Sequence, residues 1–215
     1  PFFHLFRKFW GWQEVTILRD SDSHVANTRY VPTRHDIDGK GWIDNFSTNL
    51  LAYLTHDSQA DYIVLLMADY WLTKPILGKE LDILVSFMQT NPQVIRLQIS
   101  NGMDSLSSQL VVGYAGMQIR DRGEFLRGSL IPGLWSRQLL LKHMQPGWRL
   151  WTTELELSRI INDNGELKSL LVMPEIITYE HPVKSSASRV DFTLFPAELR
   201  EEIVGFIPGG YDISG

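Results

Sequence analysis

The stretch YIVLLMADYWLTKPI, Tyr62–Ile76, decides how this chain is read. Residues 62–68 are apolar throughout, several of them β-branched or aromatic, and they run into one carboxylate, Asp69, then aromatics, Lys74 and Pro75. Such a run predicts a strand over 62–68 buried on both faces, as in a parallel or mixed central sheet. In open α/β sheets ligands bind outside the carboxyl ends of the strands, which makes Asp69 a candidate ligand. Asp also starts turns and caps helices, because its carboxylate bonds nearby backbone N–H groups. Both readings of Asp69 stand at this point.

Working outward, Leu77, Leu81, Leu84, Val85 and Met88 have helical spacing, Asn91-Pro92 stops that helix, and VIRLQIS reads as a further strand. On the other side, Trp42, Ile43, Phe46, Leu50, Tyr53 and Leu54 predict a helix. Before it, EVTILRDSDS reads as a strand entering a turn at Asp20–Ser23, and NTRYVPT as another extended piece. The chain opens with Phe2, Leu5, Phe6, Phe9 and Trp10 on one helical stripe that Gly11 can end. This stripe starts at once, with no capping residue and no strand before it, so the expectation is an N-terminally truncated chain. Helices alternating with strands are the signature of an α/β fold.

The rhythm loosens after residue 101. NGMDSLSSQ is a loop, LVVGYAGMQIRD one or two strands, and SLIPGLW irregular before a short helix near 136–144. In WRLWTTELELSRIINDNG, Thr153 and Glu156 have capping-box spacing, Leu157, Ile160 and Ile161 form the apolar face, and Asn164-Gly165 is a stop. SLLVMPEIITYEHPV reads as extended chain broken at Pro174, and the tail, 184–215, as a polar linker with one helix in PAELREEIVGFI. One domain over 1–215 is expected, since 215 residues with 44% hydrophobic content suffice for one core.

Net charge is −5 and the pI about 5.7, which excludes a broad basic footprint for nucleic acid or anionic lipid. The chain has no cysteine, so disulfides, thiolate metal sites and cysteine nucleophiles are excluded, and a reducing, cytoplasmic setting is expected. No apolar run approaches the roughly 20 residues of a spanning helix, so no transmembrane segment is expected. Any metal ligands must be Asp, Glu or His.

Three groups of Asp compete for such a role: Asp20 and Asp22, Asp36 and Asp38, and Asp69. HDIDGKGWID places Asp36, Asp38, Gly41 and Ile43 at the first, third, sixth and eighth positions of a calcium loop, but Lys40 and Ser47 fall where the fifth and twelfth ligands belong. The calcium reading fails on that. An isolated Asp-x-Asp is common in turns, and the six histidines show no metal-ligand spacing. Asp44 reads as a helix-start acid. No glycine-rich phosphate loop and no serine elbow appear, which leaves an unrelated α/β hydrolase without a nucleophile.

The stretch Tyr62–Ile76 resembles the strand and acidic motif of GT-A glycosyltransferase-like (nucleotide-diphospho-sugar transferase-like) domains, in which a buried strand ends in two acids, two aromatics and a Lys-Pro-like turn. PFFHLFRKFW is similar to the helix after their first strand, EVTILRDS to their second strand, and GKGWIDNFSTNLLAYL to the loop and helix ahead of the motif. SLIPGLWSRQLLLKHM and WRLWTTELE resemble the acceptor-side segment that ends in Trp, two residues and Glu. The resemblance spans roughly residues 1–180 and implies a three-layer α/β/α fold with a mixed, mostly parallel central sheet.

It also implies transfer of a sugar from a nucleotide-sugar donor to an acceptor. Asp69 matches the second acid of the metal and diphosphate motif, and Glu154 the Glu after Trp151. A divalent ion, magnesium or manganese, would neutralise the leaving diphosphate, and a second carboxylate, Glu154, would take the acceptor's proton as the catalytic base. Trp42 and Trp151 can stack on a base or a sugar, or serve as core and staple residues. Two departures bear on this: Ala68 stands where the first acid belongs, so a metal needs an acid from elsewhere, such as Asp20 or Asp22, and the family's first strand is missing. A catalytically inactive domain of the same fold, binding a carbohydrate or a protein partner, is the rival expectation.

Overall fold

The computed structural model describes residues 2–11, 15–19, 28–32, 43–76, 78–100, 109–121, 126–182, 189–205 and 212–214. Helix α1 (Phe2–Trp10) ends at Gly11, whose φ of +75° suits glycine and whose N–H bonds the Arg7 carbonyl at 3.1 Å. Strands β1 (Val15–Arg19) and β2 (Thr28–Pro32) pair in parallel, followed by helix α2 (Phe46–His56). The deciding stretch forms β3 (Tyr62–Leu65), a turn and β4 (Trp71–Leu72), and leads into α3 (Gly78–Thr90) and β5 (Val94–Gln98).

A hairpin, β6 (Leu110–Tyr114) and β7 (Met117–Asp121), comes next, then β8 (Gly133–Ser136) running directly into α4 (Arg137–His143). The Ser136 side chain caps α4 by accepting from the Leu139 N–H at 3.3 Å. Helix α5 (Leu150–Asp163), β9 (Lys168–Met173) and β10 (Tyr179–Glu180) complete the central part. Beyond lie β11 (Arg189–Asp191), a 3₁₀ turn (Phe192–Leu194), α6 (Ala197–Val204) and β12 (Asp212–Ser214).

The main sheet has six strands in the order β3-β8-β5-β9-β7-β6. Only β5 and β9 run parallel; the other neighbours, β3 with β8, β8 with β5, β9 with β7 and β7 with β6, are antiparallel. The protein is therefore α/β with a mixed sheet, but a mostly antiparallel one, which corrects the expectation of a mostly parallel sheet. The cause is topological: β8, from a segment that reads as irregular, inserts antiparallel between β3 and β5, and the β6–β7 hairpin adds two more reversals.

Strand β3 differs from expectation in length and place. It covers four residues rather than seven, is only half-buried, and lies at the end of the sheet's strand order. Its apolar run still has a physical reason. Ile63 and Leu65 pack with Leu50, Leu54, Trp135 and Leu157 against α2, α4 and α5, whereas Tyr62 and Val64 pack with Leu84, Met88 and Leu97 on the α3 side. The two alternating sets of side chains join two different apolar clusters, so both must be apolar even on an end strand. Next to β8, strand β5 is buried at every residue, and its Arg96 is 0% exposed.

A third cluster, Leu5, Trp71, Phe192, Phe195, Leu199 and Ile203, fastens α6 and the 3₁₀ turn onto α1 and β4. Burying a side chain such as Leu5 or Ile203 contributes about 1.5–3 kcal/mol each. The helix expected in the tail is thus present as α6 and belongs to the core. No helix among the described residues is long and apolar enough to cross a membrane.

Candidate functional site

The turn after β3 is closed by the Tyr70 N–H donating to the Met67 carbonyl at 3.1 Å, with Ala68 and Asp69 as its central residues. Strand β4 then pairs antiparallel with β10, Leu72 opposite Tyr179 and Trp71 opposite Glu180. This short ribbon brings His181, just past β10, to Asp69, and the His181 Nε2 lies 2.9 Å from the Asp69 Oδ2. Both side chains reach solvent, Asp69 at 46% and His181 at 52% exposure. Asp69 therefore sits in a turn rather than on the last residue of a strand, yet its carboxylate engages a residue 112 positions away.

Beside this pair the Tyr70 ring meets Tyr179, with ring centres 4.5 Å apart, and meets the His181 ring edge-on at 5.5 Å. Burial chiefly pushes the Tyr70 hydroxyl well above its ordinary pKa, with further contributions from Tyr179, Asp69 and Glu154, and Arg96 opposes them. Tyr179 is pushed up to about 12, again chiefly by burial; Arg96 opposes, and Asp69, Glu175 and Glu180 add to the rise. The carboxyl of Glu180 is itself raised by burial.

Arg96 lies fully buried on β5. Its Nη2 donates to the Ile131 carbonyl at 3.0 Å, its Nη1 to the Gln98 side chain at 3.4 Å, and its guanidinium stacks on the Trp135 ring at 5.2 Å. It is a fixed internal cation whose charge opposes the rise at both tyrosines.

Glu154 projects from α5. This helix starts at Leu150, with Arg149 as its N-cap, four residues before the start that a Thr153 cap implies, so Thr153 and Glu156 form no capping box; Thr153 is buried and its hydroxyl donates to the Arg149 carbonyl at 2.9 Å. Glu154 is consequently past the first turn, and its Oε1 accepts from the Leu130 N–H at 2.7 Å. The contact depends on Gly128. A methyl group there would lie 2.5 Å from the Leu157 Cβ and 2.6 Å from the Ser158 nitrogen, so only glycine lets the 126–130 loop lie on α5. Gly128 N–H also donates to the Ser158 Oγ at 2.8 Å.

Trp151, in the first turn of α5, is 58% exposed and so is no core residue. Leu155, one turn further on, is 60% exposed and continues the same apolar strip beside Glu154. Asp44 meets Arg149 at 2.5 Å ahead of α2, whose N-cap is Asn45, so it pairs across to the start of α5 instead of serving as a helix-start acid. Asp20, Asp22, Trp42, Asp36 and Asp38 lie outside the described residues.

Among the described residues no three His, Asp or Glu side chains gather to hold a metal ion. Asp69 has one potential co-ligand, His181, and a magnesium or manganese ion needs more oxygen ligands than this pair supplies. The described side chains therefore do not make a metal site by themselves. A groove of about 450 Å³ opens elsewhere, between the end of α3 and strands β6, β7 and β9, and neither Asp69 nor Glu154 lines it.

Reasoning from sequence missed His181, Tyr179, Arg96 and Gly128. Arg96 in VIRLQIS carried the one usable signal, a charge inside an otherwise apolar strand. No family model matches the chain, and neither a curated protein nor a solved structure matches it.

Proposed function

We propose that this chain is a glycosyltransferase-like domain of the GT-A type, a three-layer α/β/α unit that moves a sugar from a nucleotide-sugar donor to a hydroxyl-bearing acceptor. The observation that supports this most is the Asp69 carboxylate, met by His181 from 112 positions away and set beside the Tyr70 and Tyr179 rings. A carboxylate paired with an imidazole beside aromatic rings suits a site that must hold a polyhydroxylated ring, and a second carboxylate, Glu154, suits the removal of one proton.

In this reading Glu154 is the catalytic base. The Leu130 N–H fixes one of its oxygens, and the other takes the proton from the acceptor hydroxyl as that oxygen attacks the anomeric carbon. The bond between the anomeric carbon and the donor's phosphate oxygen breaks, and its electrons leave with the nucleoside diphosphate. Trp151 offers a flat apolar face for the acceptor ring.

The inactive, carbohydrate-binding alternative is favoured by one observation: Ala68, at the family's first acid position, is exposed in the turn and offers no ligand. Calorimetry with nucleotide diphosphates and nucleotide sugars, with and without manganese, together with a transfer assay, separates the two. The transferase reading expects binding by the wild type and by Glu154→Gln, with turnover falling about 10²–10⁴-fold in the variant. Binding without turnover in the wild type selects the alternative. Absence of nucleotide binding under both conditions refutes transfer.

A further inference from the structure

The groups at the β4–β10 ribbon are ill suited to a bare diphosphate. The ribbon carries carboxylates, Asp69 in the turn against His181 and Glu180 on β10 opposite Trp71. Arg96 on β5 is completely buried and spends guanidinium N–H groups on Gln98 and the Ile131 carbonyl. A phosphate is recognised by charged donors aimed at its oxygens. At the surface here stand a carboxylate and an imidazole whose Nε2 lies 2.9 Å from the Asp69 Oδ2.

That pairing matches a different chemistry. Adjacent sugar hydroxyls each donate and accept, so one can donate to Asp69 while its neighbour bonds the imidazole. The sugar's C–H face needs an apolar partner, and the Tyr70 ring lies against His181, backed by Tyr179. The β4–β10 ladder holds these groups in place, reinforced by the Thr73 N–H on the Thr178 carbonyl at 3.0 Å.

We propose that Asp69, His181 and the Tyr70 ring form a subsite for an uncharged pyranose ring bearing adjacent hydroxyls. The subsite rests on the sugar-transfer reading and changes one role in it: Asp69 contacts the sugar and not the diphosphate. The competing view of the Asp69–His181 pair is a clasp that merely closes the ribbon.

The test is saturation-transfer NMR and calorimetry on the whole chain with a panel of methyl pyranosides, in the presence of a metal chelator. His181→Phe keeps a ring but removes both nitrogens, and Asp69→Asn removes the charge. At least one pyranoside is expected to bind the wild type, about tenfold to a hundredfold more weakly to each variant, and not to be displaced by inorganic pyrophosphate. Failure of every pyranoside to bind, displacement by pyrophosphate, or equal affinity in the variants overturns the subsite. A lower Tm in the variants with binding unchanged identifies a clasp and also overturns it. Nucleotide-sugar binding that survives both substitutions sinks the subsite and leaves the transfer reading. Pyranoside binding without any nucleotide binding does the reverse.

Discussion

Gly128→Ala tests whether the 126–130 loop holds Glu154 in place. The added methyl carbon would sit 2.5 Å from the Leu157 Cβ, 2.6 Å from the Ser158 nitrogen and 2.8 Å from the Glu154 carbonyl oxygen. Ordinary carbon–carbon contact is about 3.5–4.0 Å, so the loop must retreat by about 1 Å from a helix that cannot yield, because two of the three obstacles are backbone atoms. Retreat breaks the bond from Gly128 N–H to Ser158 Oγ, 2.8 Å, and strains or breaks that from Leu130 N–H to Glu154 Oε1, 2.7 Å. Stranding a buried donor costs about 1–3 kcal/mol, a bond to a charged group is worth about 1.5–3 kcal/mol, and overpacking adds about 1–3 kcal/mol. These costs overlap, and we expect a loss of roughly 3–5 kcal/mol. Urea unfolding measures it as a midpoint lower by roughly 1–2.5 M, taking m as about 2–3 kcal/mol/M. Ser158→Ala alone removes the acceptor without adding an atom and should cost about 1–2 kcal/mol, but almost nothing when added to Gly128→Ala, where that bond is already gone. A loss below about 1 kcal/mol in Gly128→Ala, or full additivity of the two changes, refutes the reasoning.

Two further outcomes concern pH. Tyr179, raised to about 12 chiefly by burial, favours its neutral form in the fold, so its stabilising share is complete below the ordinary phenol value of 10.0 and is lost as pH climbs towards 12. Tyr179→Phe should remove one late phenolate from the ultraviolet titration and flatten the alkaline fall in stability; unchanged curves contradict the burial assigned to that hydroxyl. On the acid side, Glu202 on α6 accepts from Lys8 and His4 on α1, and these bonds, Lys8 first, hold its carboxyl below the ordinary 4.5. Its contribution is present above 4.5 and disappears as pH falls through the lowered value, so Glu202→Gln should show a shallower acid limb in stability against pH. Coincident acid limbs would mean that the α1–α6 contact does not depend on this charge.

Local elements were legible where their signals are local. The stripe of α1, the Asn91-Pro92 stop after α3, and the Asn164-Gly165 stop after α5 depend on residues within a turn or two of one another. Strand β8 was hidden because Pro132-Gly133 looks like a loop. In the fold the Pro132 carbonyl accepts from the Ile99 N–H at 3.2 Å, and Gly133 opens a strand whose partners lie far off in sequence. The same strand decides the sheet's direction, so missing it made the alternation of helices and strands look mostly parallel. The start of α5 was misplaced because Thr153 suits a cap, although its hydroxyl instead bonds back four residues within the helix. That shift moved Glu154 out of the first turn and put Trp151 on the solvent side.

Turn residue and functional residue are not alternatives at Asp69. The turn over 67–70 is closed by backbone atoms, Tyr70 N–H to Met67 carbonyl, and the Asp69 side chain takes no part in it among the described residues. An alanine satisfies the neighbouring central position, as Ala68 shows, so the turn itself demands no carboxylate. Its position after β3 is local, but its partner His181 is delivered by β10, whose register on β4 is set by tertiary structure. Exposed Asp–His pairs contribute little to stability, about 0–1 kcal/mol, so folding alone explains this carboxylate weakly. What separates Asp69 from an ordinary surface acid is its surroundings: an imidazole on its carboxylate and two half-buried tyrosine rings packed beside that imidazole. On the proposed sugar-binding reading, the turn with Ala68 beside Asp69 is less a damaged metal centre than a place where carboxylate, imidazole and aromatic ring face a neutral ligand.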